Sequence, residues 1–110
     1  MTAADFRRIA LRMSETLEAA HMGHPDFRVK GRIFATLHPG EKAGMVKLTP
    51  EQQQDLIAAH PTMFEPENGA WGRQGCTRVH LAAAEREVVG EAMTLAWQTA
   101  CQVKRLRKPR

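Results

Sequence analysis

The chain has 110 residues, 43% of them hydrophobic and 25% charged, with a net charge of +4 at pH 7. This length suits one domain with its own core, and the composition is typical of a globular protein rather than of a disordered or fibrous one. No segment approaches the roughly 18 consecutive apolar residues of a membrane span, and the chain begins with an amphipathic pattern instead of a signal peptide. We therefore expect a cytoplasmic protein that does not engage a membrane.

The positive charge is concentrated at the C-terminus. Residues 1–103 carry 11 basic and 12 acidic side chains, whereas residues 104–110 carry five basic ones. This predicts a single domain over 1–103 and a basic tail over 104–110. Such a tail either binds phosphates or is only the solvated end of a helix.

The first element predicted is an amphipathic helix over Ala3–Ala20, because apolar residues recur at helical spacing after a possible N-cap at Thr2. From Pro25 the pattern alternates. Phe27–Val29 and Arg32–Leu37 are predicted to form a hairpin closed by Lys30-Gly31, and residues 45–48 form a third strand.

The clearest local signal is Thr49-Pro50-Glu51-Gln52, a capping residue followed by a helix-starting proline and a capping-box glutamine. It predicts a short helix ending near His60. A short strand over 63–65, a glycine-rich corner over 69–75, a strand over 77–81 and a helix over 84–104 are expected to follow. The order α-β-β-β-α-β-β-α favours a two-layer α+β domain with an antiparallel sheet and helices on one face.

The corner, with the sequence GAWGRQG, has the glycine content of a phosphate loop. It leads into a strand and lacks the Lys-Ser/Thr pair of a nucleotide-binding loop, so we exclude nucleotide capture. Two alternatives remain open. Trp71 is exposed for stacking beside phosphate-binding Arg73 and Arg78, or Trp71 folds back and covers the end of the sheet.

The predicted hairpin carries a second basic cluster, Arg28, Lys30 and Arg32. Such a hairpin can straddle a phosphate backbone as a wing does, or its charges can simply protect a sheet edge from aggregation. The local sequence does not decide between these alternatives.

Catalytic signals are weak. Nothing near Cys76 activates its thiol, which we expect to be a small half-buried strand residue, and no carboxylate pair is forced into one cleft. Cys76 and Cys101 have no CxxC spacing, so reduced thiols are expected. We expect no enzyme activity, no cofactor and no metal site.

Three ordered segments carry a family resemblance: HPDFRVKGRIFATL (24–37), KLTPEQQQDLIAAHPTMFEP (47–66) and GAWGRQGCTRVHL (69–81). With them the chain resembles the MmcQ/YjbR family of small bacterial proteins. The resemblance implies a secretion-chaperone-like, frataxin-reminiscent α+β fold. It also implies DNA binding through a double wing, formed here by the Arg28–Arg32 hairpin and the Trp71–Arg78 segment. Cys76 stands where the family commonly has an aromatic residue, which leaves Trp71 as the aromatic side chain of that segment.

Together these features predict a non-enzymatic protein that binds DNA phosphates through the hairpin, the corner and the tail. The alternative is a protein-interaction or chaperone-like module that binds a polypeptide at a sheet face or edge, which the near-neutral charge of residues 1–103 favours. The oligomeric state is left open. The residues expected to contact DNA are Arg28, Lys30, Arg32, Trp71, Arg73, Arg78, Lys104, Arg105, Arg107 and Lys108.

Overall fold

A six-stranded antiparallel sheet with helices packed on one face forms the protein in a computed structural model, which describes residues 1–21, 23–40 and 42–106. The helices are α1 (Ala3–Leu11), α2 (Pro50–Ala59), α3 (Gly69–Arg73) and α4 (Arg86–Leu106). The strands are β1 (Thr16–His21), β2 (His24–Val29), β3 (Arg32–Leu37), β4 (Ala43–Lys47), β5 (Phe64–Pro66) and β6 (Cys76–His80), in the spatial order β1-β2-β3-β4-β6-β5. The α+β class is confirmed, but the order of elements differs from the prediction in two places.

The first difference is that the predicted helix over Ala3–Ala20 ends at Leu11, and its second half is strand β1. Glu15, with a φ of 57°, reverses the chain, and Thr16–His21 then pairs with β2 over its full length. The expected apolar stripe stops near Met13, since Leu17 is 72% exposed. Pairing with β2 therefore overrides the helical propensity of the Glu, Leu and Ala residues in this segment.

The second difference is that the glycine-rich corner contains the short helix α3 rather than an open turn. The other local signals are confirmed. Lys30 and Gly31 have φ values of 54° and 79° and form the two-residue turn between β2 and β3, as a tight hairpin requires. Thr49 and Gln52 form both halves of the capping box of α2.

The helix α1 starts with a second capping box, formed by Thr2 and Asp5. The backbone amide of Thr2 donates to the Asp5 carboxylate and is the main cause that lowers the pKa of Asp5 to about 2. The Thr2 hydroxyl, Arg8 and Arg86 add to this effect, while desolvation opposes it.

The core lies between the sheet and the pair α1 and α4. Its largest fully buried side chains include Phe6, Phe27, Phe34, Phe64, Leu37 and Met93. The ring of Phe6 rests on Gly44 of β4, where a Cβ atom would lie 2.6 Å from the nearest ring carbons. A glycine is therefore needed at this position because α1 packs so closely on the sheet.

The helix α4 continues to Leu106, so the backbone of Lys104 and Arg105 belongs to its last turn. Arg107 and Lys108 lie outside the described residues. No helix in the described part of the chain is both long and apolar enough to cross a membrane.

Candidate nucleic-acid interface

The face of the sheet opposite α1 and α4, called here the open face, carries a row of side chains across neighbouring strands. Asp26 lies opposite Thr36, Thr36 opposite Met45, Met45 opposite Arg78, and Arg78 opposite Glu65. Directly opposed side chains in antiparallel strands are close enough to interact. A charged side chain on this face is therefore within reach of the side chains on the neighbouring strands.

Arg28 and Arg78 both lie on the open face, and each is paired with carboxylates. Arg28 donates to both oxygens of the buried Asp26 at 2.8 and 3.1 Å, and this hydrogen-bonded pairing raises the pKa of Arg28. Arg78 donates to Glu67 at 3.0 Å and lies 4.0 Å from Glu65. Their strands, β2 and β6, are three strand spacings apart, about 14 Å across the sheet. The open face is thus a charge-balanced surface rather than a uniformly basic one.

Glu67 connects the open face to the start of α3. One of its oxygens lies 2.6 Å from Nε2 of His38, and the other accepts the hydrogen bond from Arg78. With both oxygens engaged, Glu67 is held in one orientation beside the corner. Glu67 therefore fixes the positions of the His38 and Arg78 side chains relative to the corner.

A different set of cations lies toward one end of the sheet. Because the strands are antiparallel, β2 and β4 end where β3 and β6 begin. Lys30 lies in the β2–β3 turn, Arg32 begins β3, Lys47 ends β4, and Arg73 ends α3 just before β6. We call these four residues the basic end.

The four side chains of the basic end are free of described carboxylate partners. No ion pair joins any of them to another residue within the described ranges, and Lys30, Lys47 and Arg73 are exposed. Three acids lie toward the same end: the exposed Glu15 before β1 and Glu51 in α2, and Glu67, which already binds His38 and Arg78. Cations still outnumber acids there.

Arg32 and Arg28 project from opposite faces of their hairpin. Arg32 is opposite Val29, whose side chain is buried, and it borders a groove of about 310 Å³ that Thr99 and Ala100 of α4 also line. Lys47 and Gln74 line the same groove. The hairpin therefore does not present its three basic residues as one surface; Arg32 instead lies close to Lys47.

The helix α4 passes this groove and extends six residues beyond Ala100, a rise of about 9 Å. The C-terminal end of α4 is therefore the end that borders the basic end, and its last turn contains Lys104 and Arg105.

The corner itself is tightly packed. At Gly72 a Cβ would collide with the carbonyl oxygen of Glu67, and at Gly75, where φ is 112°, it would collide with that of Leu48. Gln53 of α2 is buried and donates through Nε2 to the carbonyl oxygens of Gly72 and Cys76 at 3.0 and 3.1 Å. The glycines thus allow close backbone packing instead of cradling a ligand.

Trp71 stands out from this rigid corner with 64% of its surface exposed. It borders a groove of about 450 Å³ over the open face, where Ile33, Met45 and Cys76 also contribute. The alternative in which Trp71 covers the end of the sheet is therefore wrong, and the ring is available for stacking.

Cys76 is 2% exposed, more deeply buried than the half-buried position expected. Burial is the main cause that raises the pKa of its thiol; the nearby Lys47 lowers it and Glu67 raises it further. A protonated, buried thiol is a poor nucleophile. Among the described residues, no group of three His, Cys, Asp or Glu side chains is placed to hold a metal ion.

A family model described as YjbR matches residues 11–99, which include the hairpin, α2, the corner and β6. The chain belongs to the YjbR family. Its fold is similar to the crystal structure of Deinococcus radiodurans protein DR2400, whose family-model domain is DUF419, with a TM-score of 0.74 and 21% sequence identity. That similarity covers 98% of this chain and 89% of the other. No curated protein matches the chain.

Within this YjbR domain, sequence reasoning missed Lys47 and Gln53. Lys47 ends a strand whose neighbour, β6, is distant in sequence, and its register opposite Cys76 brings it to the corner. Gln53 is one of three consecutive glutamines, and only the burial of its side chain distinguishes it. Three of the predicted residues, Lys30, Arg32 and Arg73, lie toward the same end of the sheet, whereas Arg28 and Arg78 are paired on the open face.

Proposed function

We propose that this protein is a non-enzymatic DNA-binding protein that contacts phosphates mainly through the basic end. The observation that carries the proposal is the convergence of four cations from three separate segments, without described carboxylate partners, beside the last turn of α4. Sequence-independent binding to DNA rests on such clusters of lysine and arginine. The raised pKa and deep burial of Cys76 support a binding role over nucleophilic catalysis.

The proposed affinity is mainly electrostatic. If the four cations each meet a phosphate on duplex DNA, log K falls with log salt at a slope of about −3.6. Each additional contact from the tail, including Lys104, Arg105, Arg107 or Lys108, adds about −0.9. Arg28 and Arg78 add less, because a phosphate would have to displace a carboxylate from each of them.

Fluorescence anisotropy with a labelled duplex, titrated between 50 and 200 mM salt as is usual for such slopes, tests the proposal. Replacing Lys30, Arg32, Lys47 and Arg73 together by alanine should remove about 3.6 from the magnitude of the slope. Lys42→Ala is the matched control, since Lys42 precedes β4 at the opposite end of the sheet and should leave the slope unchanged. An unchanged slope in the quadruple variant, or no binding by the parent protein at low salt, would refute the proposal.

The tail is tested separately in the full-length chain. Replacing Lys104, Arg105, Arg107 and Lys108 by alanine measures its share of the slope. If all binding disappears with these four charges while the basic-end variant binds normally, the folded domain has no part in recognition.

A second candidate is polypeptide binding at the β1 edge, in line with the chaperone-like alternative. The strand β1 is the six-residue edge strand of the described sheet, next to β2, and its Leu17 is 72% exposed. Such an edge can accept an added strand from a partner. Ala20 lies opposite Pro25 in a pair that is not hydrogen-bonded, so its N–H faces the free edge, and replacing Ala20 by proline should then abolish capture of a protein partner in nuclease-treated extracts without altering DNA affinity. Capture that survives this change would count against the edge.

A further inference from the structure

The groove over the open face combines an exposed aromatic ring with an apolar floor. Trp71 forms one side, and Ile33, Met45 and the buried Cys76 are among the residues that line it. Its volume of about 450 Å³ is within the usual range of small-ligand sites. A flat, partly apolar group is the shape that such a groove accepts.

The groove is continuous with the basic end. Lys47 lines both this groove and the neighbouring groove that contains Arg32, whereas Arg73, two residues after Trp71 on the same short helix, lines neither groove. Trp71 thus shares its groove with the exposed Lys47, which leads on to Arg32. An aromatic ring beside a line of cations is the combination that binds single-stranded nucleic acid, because bases stack on the ring while phosphates follow the cations.

The polar margin of the groove fits the edge of a base. His38, Glu67 and Asn68 line it, and the two oxygens of Glu67 already bond His38 and Arg78. The engaged carboxylate is therefore part of a fixed polar rim, while the Asn68 side chain makes no cap hydrogen bond to α3.

We infer that the protein prefers single-stranded DNA, with one unstacked base held in this groove against Trp71 and the adjoining phosphates on the basic end. The inference rests on the proposed function and names its substrate. In a duplex the bases are paired and stacked, so Trp71 cannot reach a base face without the cost of extruding it. Duplex DNA is then bound by phosphate contacts alone.

Anisotropy with a labelled 12-nucleotide strand, the same strand as a duplex, and an abasic strand of equal length tests the inference. The single strand should bind about tenfold more tightly than the abasic strand at equal salt. Trp71→Ala should weaken single-strand binding about tenfold and leave duplex binding unchanged, whereas Trp71→Phe should retain most of the affinity. Leu17→Ala, which removes the other strongly exposed apolar side chain of the open face, is the matched control and should have no effect.

A Trp97→Phe background locates the contact, since emission then comes from Trp71 alone and should be quenched by the single strand but not by the duplex. The inference is overturned if abasic and normal strands bind equally, or if Trp71→Ala weakens duplex and single strand by the same factor. In both of these cases a persisting salt slope leaves the proposed function intact. Absence of binding to every probe at low salt instead refutes the proposed function itself.

Discussion

Replacing Gln53 by leucine should destabilise the protein because this side chain joins α2 to the corner and to β6. Its Nε2 donates to the carbonyl oxygens of Gly72 and Cys76 and to the Thr77 hydroxyl, all at 3.0 to 3.1 Å, and the side chain is buried. Leucine has a similar volume, so the loss of hydrogen bonds dominates over any cavity. The carbonyl oxygens of Gly72 and Cys76 keep their backbone donors, Gly75 and Glu67, so the loss is that of the Gln53 hydrogen bonds themselves.

The magnitude follows from the two amide protons that Gln53 supplies. Each net hydrogen bond contributes about 1 kcal/mol, which gives a total of about 2 kcal/mol for the two protons. For a chain of 110 residues, 1 kcal/mol shifts Tm by roughly 4 °C, so we expect a decrease of about 8 °C.

Urea denaturation and thermal unfolding followed by circular dichroism measure the effect. Gln54→Leu is the matched control, because Gln54 is the next residue of α2 and is exposed, and its change should stay within about 0.5 kcal/mol. If the two variants unfold at the same urea concentration, Gln53 does not hold the corner and the reasoning is wrong.

Three further predictions concern single positions. Gly90→Ala should stabilise the protein by about 0.5–1 kcal/mol in urea denaturation, because an added Cβ at this position inside α4 meets nothing within 4 Å. Gly72→Ala should instead destabilise the protein by about 3 kcal/mol, because the added Cβ collides with the backbone of Glu67. The pKa of Asp5 is lowered from 3.8 to about 2, so its stabilising contribution is complete above about pH 5 and is lost as the pH falls through 3.8 to about 2. Asp5→Asn should lack this part of the acid sensitivity of unfolding, and an identical pH profile would contradict the assignment. In a Cys101→Ser variant, Cys76 should react with a disulfide reagent at pH 8 at least about tenfold more slowly in the folded protein than in urea, and equal rates would show that the thiol is accessible.

Local signals in the sequence were sufficient wherever an element forms from its own residues. The capping box of α2 and the Lys30-Gly31 turn were predicted correctly because their hydrogen bonds and φ angles are set within a few residues. The first helix was extended too far for the opposite reason. Residues 16–21 have helical propensity, but their backbone is satisfied by pairing with β2, which a local pattern does not reveal.

In the candidate site, too, the features set by nearby residues were predicted and those set by strand pairing were not. The basic residues of the hairpin and the corner were identified from sequence, yet their partners were not. Asp26 and Glu67 neutralise Arg28 and Arg78, whereas Lys47, which no motif marks, reaches the basic end. Charge can be counted along a chain, but whether a charge is paired depends on contacts across strands.

The sequence by itself determined the α+β class, the family, the hairpin, the capped helix and the concentration of positive charge near the C-terminus, since each depends on composition or on residues close in the chain. Only the tertiary structure decided that Trp71 is exposed beside a groove, that the corner is a packed helical turn, and that Lys30, Arg32, Lys47 and Arg73 share one end of the sheet. These properties depend on strand order and register, which bring together residues more than forty positions apart.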